Sequence, residues 1–143
     1  MFKKTFKFIL IKFGFIFYEK LDTLIWFLII KLPKNLLINS LKIPFILFFK
    51  IKLPNKFVKA IEKNIINFSE KVINKKNKHS SCLSRSIASK IILNFLGIKC
   101  KLKLGMNKFI NGKKVPHAWL VNAQTGLEYT SGLDLRGVDL IEI

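Results

Sequence analysis

Apolar positions fall into two regimes along the chain. From Phe2 to Lys31 they crowd most of a helical circumference, with Lys3, Lys4, Lys7, Lys12 and Lys20 scattered between them. That predicts a helix over 1–31, stopped by Pro33. A short helix over 34–43 before Pro44 and an apolar piece over 45–52 before Pro54 follow. Residues 55–74 then place Phe57, Val58, Ile61, Ile65, Phe68 and Val72 at spacings of three and four, the mark of an amphipathic helix. The polar, basic run Asn74 to His79 breaks this pattern and is the best boundary in the chain. It divides a basic, apolar helical region (1–74) from a second unit (80–143) through a linker at 75–79.

The second regime starts at Ser81. Leu83, Ile87, Ile91 and Phe95 recur every four residues, predicting a helix over 82–96 capped by Ser80 or Ser81 and ended by Gly97. Ile98, Cys100, Leu102 and Leu104 alternate with Lys99, Lys101 and Lys103, a strand with one wet face. Asn111-Gly112 signals a turn, His117 to Val121 a second strand, and Gln124-Thr125-Gly126 a turn into a third at Leu127 to Thr130. The tail from Leu133 mixes apolar and acidic residues without a clear period. The class is therefore α+β, with helices first and a small antiparallel sheet after them.

Composition adds two points. The chain has 143 residues, half of them apolar, enough for a modest domain with a real core. Its net charge of +18 is uneven: residues 1–81 hold 17 of the 26 basic side chains and 4 of the 8 acidic ones, net +13. Such a region suits an anionic membrane, an acidic peptide or a nucleic acid, or is a solvated basic face enlarged by an AT-rich coding bias. Nucleic acid is disfavoured, since only Arg85 and Arg136 are arginines and the aromatic residues fit apolar helix faces. Lys7 and Lys12 interrupt the apolar start, and no small-residue cleavage site follows, so no secretion signal is expected. No stretch reaches the length of a spanning helix, though one lying on a membrane surface fits. The expected location is the cytoplasm, either free or on the inner face of the membrane.

Two cysteines, Cys82 and Cys100, give neither a disulfide framework nor a zinc spacing, so no metal or cofactor is expected and the thiols read as reduced. Cys82 stands at the predicted first turn of its helix. There a thiol meets the positive end of the macrodipole and unpaired N–H groups able to stabilise an oxyanion. His117 on a following strand supplies a general base, and then an acid for the leaving amine. Alone, a cysteine at a helix start is more often a small buried residue, and a strand histidine more often a satisfied side chain. Cys100 alternates with lysines and points inward with Ile98 and Leu102, so packing is its expected role. His79 falls in the polar linker and is expected to be solvated. Trp119 shares a strand face with His117 and either walls the imidazole from water or simply packs.

The combination is more specific than its parts. Cys82-Leu83-Ser84-Arg85-Ser86-Ile87-Ala88, Leu96-Gly97-Ile98 running through the strand to Gly105, and His117-Ala118-Trp119-Leu120-Val121 resemble the transglutaminase-like cysteine hydrolase core. The closer resemblance is to the leader-peptidase half of the lasso-peptide (microcin-type) maturation protease, over roughly residues 80–132. It implies a bacterial cysteine peptidase with a papain-like core that removes the leader from a ribosomally made precursor peptide. It also implies a leader-recognition protein acting in trans, since no part of the chain resembles that domain, and a cyclase that closes the ring.

The chain departs from the family pattern at the third catalytic position. The expected Asp falls near Tyr129 to Ser131, none of them acidic, while Leu120-Val121 replaces Val-Glu and Pro116 replaces a small residue. Asp134, the nearest downstream Asp, is the candidate to orient His117. The alternatives are a backbone carbonyl in that role or a degenerate module that binds a precursor or partner without cutting it.

Overall fold

The computed structural model describes residues 2–33, 54–76, 78–108, 114–130 and 140–142. Among the described residues three helices, α1 (Phe2–Lys31), α2 (Asn55–Asn74) and α3 (Cys82–Phe95), precede three strands, β1 (Cys100–Lys108), β2 (Lys114–Asn122) and β3 (Leu140–Glu142). The sheet is antiparallel in the order β2-β1-β3, so the fold is α+β.

Each helix boundary has a local cause. Lys31 places a positive charge in the last turn of α1, favourable to its dipole, and Pro33 follows directly. α2 starts behind Pro54 and buries Glu62, Ile65, Phe68, Ser69 and Val72 along one face. α3 opens with a capping box: Ser81 Oγ accepts the Ser84 N–H, while Ser84 Oγ accepts the Ser81 N–H. Gly97, at φ +79°, lets the chain leave α3 in the left-handed region.

α3 is the central helix. It packs against α1 on one side and against β2 and β1 on the other, with α2 alongside α1 and α3. One core runs through all of them: Tyr18 and Ile25 of α1, Phe68 and Val72 of α2, Leu93 of α3, and Leu102 and Leu120 of the sheet are buried together. It is continuous across the polar linker at 75–79. The Phe68 ring lies 5.6 Å from Phe15 and 6.0 Å from Tyr18, fixing α2 against α1.

Two expectations need correction. Leu127 to Thr130 is not a strand: it meets β2 by a single bridge, Val121 to Glu128. Its bonds to the β2 edge are irregular, with Tyr129 N–H on Leu120 O, Asn122 N–H on Leu127 O, and Leu120 N–H on the Thr130 hydroxyl. The third strand is instead β3, from the tail, paired with the other edge of β1. His79 is exposed but not simply solvated, since its ring packs 4.8 Å from Trp26 and 5.4 Å from Phe27 of α1. The segments expected at 34–43 and 45–52 and the Asn111-Gly112 turn lie outside the described residues, as does Asp134.

Candidate active site

Cys82 is the first residue of α3, half-buried, with its side chain against the edge of the core. One turn later, on the same helix face, Ser86 bonds to β2. Its hydroxyl donates to the Ala118 carbonyl at 3.3 Å and sits 2.8 Å from the Thr130 hydroxyl, which accepts the Leu120 N–H at 3.0 Å. One proton arrangement satisfies all three: Thr130 donates to Ser86, and Ser86 donates to Ala118. This relay clamps the Cys82 end of α3 to the strand segment that carries His117.

His117 is only 9 % exposed, and its Nε2 is buried without a hydrogen-bond partner among the described residues. Its ring stacks on Trp119, with centroids 5.8 Å apart and planes 16° apart. Across the strand its partner is Gly105, which offers no side chain to crowd the imidazole. Burial lowers the His117 pKa below its usual 6.5, and the Arg85 charge pushes it the same way. The imidazole is therefore neutral at neutral pH and able to accept a proton. Among the described residues no hydrogen bond joins Cys82 to His117.

Sequence reasoning missed Asp22. It lies on α1, fully buried, and its Oδ1 accepts the Ser84 hydroxyl at 2.5 Å. Ser84 is the residue that completes the cap of the Cys82 helix. Asp22 Oδ2 is buried and has no partner among the described residues. Burial raises the Asp22 pKa, against the opposing pull of the Ser80 and Ser84 hydroxyls and of the Arg85 charge. Arg85 itself donates from Nη1 to Ser80 Oγ at 3.1 Å. One guanidinium thus acts on both the carboxyl behind the Cys82 turn and the imidazole in front of it. The signal available in the sequence was a lone Asp inside the apolar run Leu21 to Ile30.

A second buried polar cluster lies toward the opposite end of α3. Glu62 Oε1 accepts from the Tyr129 hydroxyl at 2.6 Å and from Asn122 Nδ2 at 2.8 Å. Asn122 Oδ1 then accepts the Gln124 and Thr125 N–H groups, closing the turn. Cys100 belongs to this end. Burial pushes its thiol up to about 12 and its Sγ bonds to the Ile98 carbonyl, the behaviour of an inert packed thiol. Among the described residues no three His, Cys, Asp or Glu side chains come together as metal ligands.

Comparison with protein-family models, with curated proteins and with solved structures finds no match for the chain.

Proposed function

We propose that the chain is a cysteine peptidase of the transglutaminase-like type, with Cys82 as nucleophile and His117 as general base, and that it removes the leader from a ribosomally made precursor of the lasso class. One observation supports this above the others. The first turn of α3, bearing a thiol, is clamped through Ser86 to the strand bearing a buried, neutral imidazole whose Nε2 has no described partner. A helix amino-terminus holding a cysteine against an antiparallel strand holding a histidine is also the arrangement that the family resemblance implies.

In the reaction, Cys82 Sγ attacks the scissile carbonyl as its proton passes to His117 Nε2. Free N–H groups at the start of α3 face the oxyanion. The imidazolium then gives the proton to the leaving amine, and water, deprotonated by the same imidazole, releases the thioester as a carboxylate. Trp119, stacked on His117, keeps water from one face of the ring. Asp134 remains the candidate for the orienting group. A leader-recognition protein and a cyclase are the expected partners, on the cytoplasmic side of the membrane.

The test is mass spectrometry of the precursor incubated with the full chain and the recognition protein. Wild type yields the free leader, while Cys82→Ala and His117→Ala yield none. Precursor binding without cleavage by wild type would overturn the peptidase reading. It would favour the non-cutting module, which the absence of an acidic partner for His117 among the described residues also motivates.

A further inference from the structure

α1 is apolar nearly all the way round in sequence, yet among the described residues the face turned away from α3 is largely exposed, with the His79 ring stacked on Phe27 near its end. Tyr18, Asp22 and Ile25 turn inward to α3 and α2. On the opposite side Phe13, Phe17, Lys20, Leu24, Phe27 and Lys31 follow one another at alternating spacings of four and three, a continuous stripe about 27 Å long. These apolar side chains are out in solvent: Phe13 is 69 % exposed, Phe17 62 % and Leu24 56 %. A helix that is apolar on both faces has a second surface to satisfy.

Charge identifies the occupant. α1 carries six lysines and two acids. Neither acid is on the stripe: Asp22 is buried, and Glu19 is turned to Lys75 at the end of α2, 3.1 Å away. The stripe therefore offers hydrocarbon and positive charge, with no negative charge. A second copy is a poor match, because pairing the stripe with itself in either direction brings Lys20 and Lys31 into an apolar seam with no acid opposite. A nucleic acid would meet the lysines but leave three phenylalanines wet. A bilayer surface rich in anionic lipid satisfies both: phenylalanine and leucine enter the acyl boundary, while the long lysine stems carry their ammonium groups up to the phosphates.

We infer that the outer face of α1 docks on an anionic lipid surface, with the helix lying in the plane of the interface. The surface is separate from the Cys82–His117 site, so the inference stands or falls independently of peptide cleavage. It is tested by floating the full chain with vesicles of phosphatidylcholine, alone or with about one-third phosphatidylglycerol. Anionic vesicles bind the chain at least about tenfold more tightly than neutral ones, and added salt weakens the binding. Lys20→Gln and Lys31→Gln each weaken it about fivefold. The double variant Phe17→Glu, Leu24→Glu weakens it more than about tenfold with its circular dichroism unchanged, since both positions are exposed. Cys82→Ala binds like wild type, which separates this result from any failure of catalysis. Equal affinity for both vesicles, or none for either, overturns the inference. So does a dimer that the double variant dissociates while no vesicle is bound, or RNA binding that the double variant retains in place of vesicle binding.

Discussion

The imidazole of His117 is held in its basic form by two causes of the same sign, burial and the Arg85 guanidinium. Replacing Arg85 with Gln removes the second, so the His117 titration moves up toward 6.5, as the imidazole C–H shifts in NMR will report. A wild-type midpoint at or above 6.5 would rule this description out. The stability consequence has a definite sign. As pH falls below 6.5 the unfolded chain takes up a proton that the folded chain refuses, so stability declines from there down to the lowered folded value. Asp22 behaves in the opposite sense. Its raised pKa makes its contribution full below 3.8 and lost as pH rises through the folded value. Asp22→Asn keeps an acceptor for Ser84 and removes the buried charge, so urea unfolding at neutral pH finds it at least as stable as wild type. Asp22→Ala removes the carboxyl acceptor and leaves the Ser84 hydroxyl the Ser81 carbonyl, 3.1 Å away, so it costs about 1 kcal/mol. An Asn variant weaker than the Ala variant would contradict a carboxyl dominated by burial.

At the scale of elements, the start of α3 is where sequence and structure meet most closely. Ser81→Ala removes the acceptor for the Ser84 N–H and costs about 1 kcal/mol in denaturant unfolding. It also loosens the turn that carries Cys82, so a variant as stable as wild type would mean that Asp22 and Ser84 hold this turn without the cap. This cap was legible in the sequence, as were α2, the alternation of β1, the Gly97 stop and the shared face of His117 and Trp119, because each is set by residues a few positions apart. Leu127 to Thr130 misled for a physical reason. Its apolar and polar residues suit a strand, but Tyr129 spends its hydroxyl on Glu62 and Thr130 its hydroxyl on Ser86 and the Leu120 N–H, so side chains replace a ladder. β3 was unreadable because three residues of tail gain their identity only from pairing with β1. Within the candidate site the thiol and the imidazole were legible as residue types. Asp22, 62 positions before the Ser84 it bonds, was not, since no local pattern links a helix to a cap so distant in sequence.

Across the whole molecule, the polar linker at 75–79 marks a bend in the chain but not a break in the core. Glu62 on α2 reaches Asn122 at the end of β2 and Tyr129 in the segment after it, and Tyr18 on α1 donates to the Arg85 carbonyl of α3 at 3.3 Å. Helices that come before the linker thus brace both α3, through Tyr18 and Asp22, and the end of β2, through Glu62. Stability and solubility make different demands on α1 as a result. Substitutions on its inner face damage the core, whereas charged residues at Phe13, Phe17 or Leu24 relieve exposed apolar surface at no cost to packing. A campaign to improve expression or shelf life would be drawn first to those outer positions. It would deliver a better-behaved protein with its lipid-facing stripe erased, and that loss would pass unnoticed in any assay run without a membrane.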